Sequence, residues 1–357
     1  MKIAGTEFAT KVHCDGKVAM KASQWIVFLG TLFVFLVSAT GCAQTSNDLD
    51  FFRGQTVTII VPHGPGGMDT YARSIAPYLQ KYLPGSKVEV VNVSEGGGIT
   101  GRNQIYAAAP DGLTLGLTTG AGALLAEWAE QPGVEYKTAE FSFIGRINAE
   151  PHIMVASPRM GFTTLDDIVR AKKISMGFAG VGSDDYYVAL VTARLLGYEV
   201  EPHTDFLGID GASLACVKGD VAAILFSESS VQQQLEAHTL VPIVSFSEVP
   251  SKKYPNIPVI FSAIPADKQE TMQALVNIYA LERVIIAPPG MSQVRLQTLR
   301  HALDQAMNDP EFLDNMLQIK RPVSFLNGQK TSDILAGIML NADQIKPLVL
   351  QIARETR

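Results

Sequence analysis

The sequence has little cysteine, little charge and no long apolar span, and each shortage removes a class of function. Its 357 residues hold three cysteines, Cys14, Cys42 and Cys216, far apart and without a C-x-x-C pair or a Cys/His spacing. Neither a zinc site nor a thioredoxin-like redox pair is therefore encoded. Only 18% of the residues are charged, and 29 Lys and Arg stand against 35 Asp and Glu, a net charge of −6. Such a surface is not built to grip a phosphate backbone, which removes nucleic acid as a partner. No G-x-x-x-x-G-K-[ST], G-x-S-x-G or H-E-x-x-H string occurs, so nucleotide hydrolysis, a nucleophile elbow and a zincin lack their marks. The six histidines are scattered, and of them only His63 falls in a glycine-rich loop, as a plain loop residue or an acid-base group. No metal ligand set, cofactor site or catalytic residue is assigned. What is present is a chain 47% hydrophobic, long enough for a sizeable core and, by length, for two domains.

The apolar run Trp25–Val37 falls short of the roughly 20 residues that a membrane-spanning helix needs. Lys21 precedes it and Ser38-Ala39-Thr40-Gly41-Cys42 follows, the order of a charged, an apolar and a small-residue region in a secretory signal. Cysteine directly after Ala39-Thr40-Gly41 resembles a bacterial lipobox, with Ala39 where Leu is usual. Residues 1–41 thus read as a signal peptide and Cys42 as the lipidated first residue of the mature chain, with ordinary cleavage nearby as the alternative. Met20-Lys21 also has the form of a conventional start, so two start sites stay open. Residues 42–50 are polar and read as a tether. Cys216 lies in an apolar helical setting and reads as a buried, inert thiol.

The folded part alternates strands and helices. Strands are expected at Thr56–Pro62, Lys87–Val93 and Leu113–Thr118, with helices at Thr70–Leu83 and Asn103–Ala109 between them. Two strand-helix units in a row imply a parallel sheet. A second series follows: Ile153–Ala156, a capping box at Thr164 and Asp167, the strand Ile174–Ala179, a helix Tyr186–Leu196 closed by Gly197, and strands Val221–Phe226 and Val241–Phe246. A strand Leu281–Ala287 and helices at Ser292–Met307, Glu311–Leu317 and Ser332–Arg354 complete the chain. No linker separates the two series, as expected of domains joined by crossing strands.

Four short glycine-rich loops follow strands: His63–Asp69, Ser94–Gly101, Gly180–Asp185 and Asp205–Gly211. Beyond the carboxyl ends of parallel strands, helix N-termini present free N–H groups, and glycine lets the backbone approach a ligand. Such loops suit a carboxylate without any side-chain cation. Asp69 reads as the cap of the helix after it, with ligand contact as the second possibility. Gly96-x-Gly98-x-x-Gly101 also matches a dinucleotide fingerprint, but no acidic residue ends a second strand about twenty residues on, where the ribose would be held.

Three segments, IIVPHGPGGMDTYARSIAPYL, NVSEGGGITGRNQIYAAAPDG and APPGMSQVRLQTLRHALDQAMNDPEF, resemble the extracytoplasmic solute receptors of tripartite tricarboxylate transporters, the Bug proteins. The resemblance runs from about Phe52 to Pro322. It implies an α/β protein of the two-domain, type II periplasmic-binding-protein fold, a Venus flytrap closing on a small carboxylated solute and presenting it to a permease. Domain 1 would comprise residues 51–153 and 283–357, and domain 2 residues 154–282. The ligand-binding residues it implies are His63, Gly64, Gly66, Gly67, Met68, Asp69 and Thr70 in the first loop, Gly97, Gly98 and Ile99 in the second, and Thr119 after the third strand. From the second domain come Gly182, Ser183, Asp184, Phe206 and Gly208. The chain departs from the family pattern at Ser94-Glu95, where Pro-Gly is usual, and at Asp184-Asp185, where small hydroxyl residues are usual. Those two carboxylates either cap the following helix or meet a ligand with a cationic or hydroxyl-bearing end, such as an amino acid. The expected protein is a monomeric receptor, periplasmic or at the cell surface, held to a membrane by lipid at Cys42 and working with integral-membrane permease subunits. The alternatives are an exported α/β enzyme or dinucleotide-binding domain using Gly96–Gly101, and a stand-alone ligand sensor.

Overall fold

The computed structural model describes residues 48–206 and 208–356; the segment read as a signal peptide, with Cys14, and the expected lipidation position Cys42 lie outside them. Among the described residues there are eleven strands in two mixed sheets and twelve α-helices. The first sheet contains β1 (Thr56–Val61), β2 (Lys87–Asn92), β3 (Thr114–Thr118), β4 (Ser142–Arg146), β10 (Val284–Ala287) and β11 (Leu326–Asn327), in the order β11-β4-β10-β3-β1-β2. The second contains β5 (His152–Ala156), β6 (Lys173–Gly177), β7 (Glu199–His203), β8 (Ala223–Ser227) and β9 (Val241–Phe246), in the order β7-β6-β8-β5-β9.

Parallel pairing holds where the strand-helix units repeat: β1 with β2 and β3, and β6 with β7 and β8. It fails at the strands nearest the crossings. β10 runs antiparallel to β3 and β4, and β5 antiparallel to β8 and β9. The chain leaves the first sheet after Arg146, enters the second at His152 and returns only at Val284. Each of these two strands therefore enters its sheet from the other half, against the direction of its neighbours.

The apolar runs work by alternation. Ile285 and Ala287 join the core under helices Gly67–Tyr82 and Gln293–Met307, whereas Val284 and Ile286 face the opposite core. On β5, Ile153 and Val155 pack with Cys216 and Ile224, and Met154 and Ala156 point the other way. The cause is the two-residue period of a strand buried on both faces. One of the cores is common to both sheets, since Met154, Val244, Val284 and Ile286 all belong to it. Cys216 is buried and free, and burial raises its thiol to about 12, as an inert packing residue requires.

Local corrections follow from capping and proline chemistry. The first long helix starts at Gly67, three residues earlier than expected, with Gly66 as its N-cap, so Asp69 lies inside the first turn and is not the cap. The helix over Asn103–Ala109 begins at Ile99, and Leu281 ends a 3-10 turn before β10. The C-terminal segment expected as one helix is two, Gly328–Leu340 and Lys346–Glu355, separated by a 3-10 turn over Ala342–Gln344. Pro347 stands in the first turn of the second, where its missing N–H costs nothing but the preceding helix could not have continued through it. The capping box at Thr164 and Asp167 forms as read, on helix Leu165–Ala171.

Candidate functional site

Strand ends and helix starts converge between the two sheets. β1 runs into the loop Pro62–Gly66 and helix Gly67–Tyr82; β3 runs into Thr119, whose Oγ1 accepts from Gly122 N at 2.7 Å and caps helix Gly120–Trp128. From the second sheet, helices Asp184–Leu196 and Gly208–Lys218 begin on the same space. That space is a cavity of about 150 Å³ walled by residues 62–68, Ser94 and Gly97 on one side, and by Ala179, Ser183, Phe206, Gly208 and Ile209 on the other. A second, smaller chamber of about 40 Å³ shares His63, Met68 and Ser183 with it and adds Thr119, His152, Asp184, Asp185, Glu282 and Arg283.

Of the residues singled out in the sequence, the fold brings His63, Gly64, Gly66, Gly67, Met68, Gly97, Thr119, Ser183, Asp184, Phe206 and Gly208 to these walls. Five stand behind them. Asp69 pairs with Arg73 at 3.0 Å and accepts from Asn92 Nδ2 at 2.9 Å, while Thr70 Oγ1 donates back to Gly66 O at 2.9 Å. Gly98, Ile99 and Gly182 make the joint between loops. At Gly97, with φ +66°, a Cβ would lie 2.4 Å from Gly182 N, so the two glycine loops touch backbone to backbone across the cleft. At Gly98 a Cβ would meet Pro62 O at 2.2 Å, which accounts for that glycine of the fingerprint by close packing on the first loop.

Several polar residues at the site escaped the sequence reading. Arg102 is fully buried; its Nε donates to Thr118 Oγ1 at 3.1 Å and its Nη1 to Gly182 O at 3.1 Å, tying one half to the other. Arg283 lies at the return crossing, with Nη1 2.8 Å from both Glu150 and Glu282, Nη2 donating to Ser227 Oγ at 2.8 Å, and its guanidinium 4.7 Å from the Tyr71 ring centre. The available signal was an acid-base pair, Glu282-Arg283, immediately before a wholly apolar strand. His152 stacks on Tyr279 at 3.8 Å and places Nε2 3.6 Å from Asp184 Oδ2.

Burial dominates the electrostatics. It raises the Asp184 carboxyl, and it raises Asp185 to about 8 with help from the charge of Asp184 beside it. Glu282 is raised by burial to about 8 despite Arg283. Burial, then the nearby Arg283, holds His152 at about 3; His63 is lowered to about 3 by burial, then by Arg102 and Arg283. Neither carboxylate caps the helix, whose N-cap is Ser183 without a side-chain bond; Asp185 Oδ2 instead accepts from Ala179 N at 3.2 Å, back across the loop. Asp184, next to it, faces the chamber. Among the described residues no group of three or more His, Cys, Asp or Glu is placed to hold a metal ion. No helix among them is long and apolar enough to cross a membrane.

Two α/β layers joined by crossings, with glycine loops and helix N-termini closing on a small cavity, define a two-domain binding protein of the periplasmic type. A family model described as the tripartite tricarboxylate transporter family receptor matches residues 71–346, and the chain belongs to that family of periplasmic solute-binding receptors. Protein BugT of Bordetella pertussis is 25% identical over 242 residues, covering 65% of this chain and 72% of BugT. The periplasmic binding protein BugD superposes with a TM-score of 0.68 at 20% identity, over 84% of this chain and 97% of BugD. MatC of Rhodopseudomonas palustris with bound malate gives 0.66 at 21% identity, over 84% and 99%. These structural likenesses carry the fold.

Proposed function

We propose that this chain captures a small carboxylate-bearing solute in the cleft and delivers it to an integral-membrane permease. The observation that carries the reading is the partly enclosed cavity of about 150 Å³ set at the N-termini of helices from both halves. There the backbone N–H groups of Gly64, Gly66 and Gly67 and of the loop before Asp184 are the carboxylate donors, aided by the partial positive charge of each helix start. The malate-bound relative supports the class of ligand. Residues 51–153 with 283–357 and residues 154–282 act as the two closing domains, with His152 and Ile153, which pair in the second sheet, moving with the latter, and they swing about the crossings near Ile153 and Arg283. A lipid at Cys42 keeps the receptor, as a monomer, beside its permease.

A thermal-shift screen of purified Asn47–Arg357 against mono-, di- and tricarboxylates, amino acids, sugars and NAD tests this. A ligand bound only to the folded state adds about 2.7 kcal/mol at 100 times its Kd. A carboxylate hit that disappears in Gly67→Leu supports the receptor; a shift with NAD alone would point to the dinucleotide alternative and against it.

A further inference from the structure

A separate cavity of about 420 Å³, larger than either in the cleft, lies where helix Glu228–Glu236 of the second half faces residues 317–322 of the first. It shares no wall residue with the other two. Two of its three carboxylates are fully engaged. Glu150 Oε1 lies 2.8 Å from Arg283 Nη1 and accepts from Ser229 Oγ at 2.6 Å, while its Oε2 accepts from Ser229 N at 2.8 Å. Glu236 Oε2 accepts from Lys320 Nζ at 2.8 Å and its Oε1 from Gln232 Nε2 at 2.7 Å, with Lys253 Nζ 3.6 Å away. The third, Glu228, is half-buried beside Ser251, and burial raises its carboxyl.

The cations of this wall are not matched in the same way. Arg321 is half-buried, and among the described residues its guanidinium bonds only neutral oxygens: Nη1 donates to Ser229 O at 2.9 Å and to Ser229 Oγ at 3.3 Å. Lys253 and Lys320 share the one carboxylate of Glu236. Glu150 is matched by Arg283, whose other partner, Glu282, holds its proton up to about pH 8. Three cations thus stand against Glu228 and Glu236, an excess of positive charge even with Glu228 ionised. A guanidinium that leaves water without meeting a counter-charge loses solvation, and burial lowers Arg321 accordingly. We propose that this cavity is a second binding site, for a small oxyanion, phosphate or carboxylate, held by the remaining nitrogens of the Arg321 fork and by Lys253 and Lys320. The fork presents paired N–H donors of the geometry that such an anion accepts, and the exposed Leu317 with Pro322 gives an apolar rest to its organic part. Arg321 belongs to one half and Lys253 to the other, so the anion ties the halves together, as Arg321 does by its bond to Ser229. The site is that of an effector and not of the transported solute. Only one layer of side chains separates it from the cleft, since Arg283 lines the small chamber and meets Glu150, Ser227 and Ser229. Anion and solute are therefore coupled, each changing the affinity of the other by the same factor.

The test is isothermal titration calorimetry of the purified protein at pH 7.5 and low ionic strength with inorganic phosphate, phenyl phosphate, citrate and benzoate. The expected result is saturable binding of at least one of them with a Kd of about 1 mM or below. That binding weakens about tenfold in Arg321→Gln and again in the double variant Lys253→Gln/Lys320→Gln, as the loss of charge-assisted hydrogen bonds requires. Phenyl phosphate against benzoate decides which oxyanion the site prefers. Both lysines stand at the exposed rim, so the double variant keeps the test open where Arg321→Gln does not fold. Binding that neither variant weakens places the anion elsewhere and overturns the proposal, as does the absence of saturable heat from all four probes up to about 20 mM. The receptor reading is decided apart from this, by the carboxylate screen and Gly67→Leu.

Discussion

At the residue scale the cleft is a set of ionisable groups held away from their usual charge states, and this has a consequence for stability. Asp185 and Glu282 are raised to about 8, far above the roughly 4 of an unfolded carboxylate. Between those values the native state holds protons that the unfolded chain has lost. Their contribution is thus full at low pH and disappears as pH rises through 8. His63 and His152, lowered to about 3, act in the opposite direction below the unfolded value near 6.5, where the unfolded chain takes up protons that the native state refuses. The two effects oppose between pH 4.5 and 6.5, and only the carboxyl effect operates above. Urea unfolding followed from pH 5 to 8.5 should show a shallow plateau to about 6.5 and then a fall, on the order of 1–2 kcal/mol per carboxyl. Asp185→Asn should flatten that fall. A stability that climbs steadily from pH 6.5 to 8.5 would contradict the buried, proton-holding state of these groups.

At the element scale the decisive feature is that loops of opposite sheets meet without side chains between them. Gly97 follows β2, Gly182 follows β6, and no Cβ fits between them. Gly97→Ala should therefore act on closure. The strain of a non-glycine residue at φ +66° costs about 1–2 kcal/mol locally, but the larger effect is a clash present only when the halves are shut. The expected outcome is at least a tenfold rise in the Kd of whatever ligand the screen identifies, with a melting temperature lowered by only a few degrees. An unchanged Kd would mean that the loops part without penalty. The contact was not legible from spacing, because a glycine that makes a tight turn and one that admits another backbone look alike in a sequence.

At the scale of the whole molecule, two sheets do not make two independent bodies. The chain crosses between them twice, one core contains residues of both, and Arg102 and Arg283 bond across the same boundary. The described residues also fall within a single compact unit. Scanning calorimetry of the ligand-free protein should therefore show one cooperative transition, with calorimetric and van't Hoff enthalpies equal. Two resolved transitions would show that the shared core contributes little to cohesion.

The elements most legible in the sequence were those whose signal is local. β1 and β9 announce themselves by β-branched residues, the helix after Thr164 by its capping box, and the helix end at Gly197 by a glycine that here adopts φ 76°. Glycine clusters after strands mark places where backbone must approach something, and eleven of the sixteen residues that the family resemblance implied lie on the cavity walls. Charge placement was not legible in the same way. Glu150, His152, Glu282 and Arg283 lie near the crossings, distant in sequence from the glycine loops, and only the return of β10 between β3 and β4 brings them under the cleft. Local propensity and hydrophobic period are properties of a few neighbouring residues and can be read along the chain. Pairs such as Arg283 with Glu150 join residues more than a hundred positions apart, and those exist only once both sheets have closed on their common core.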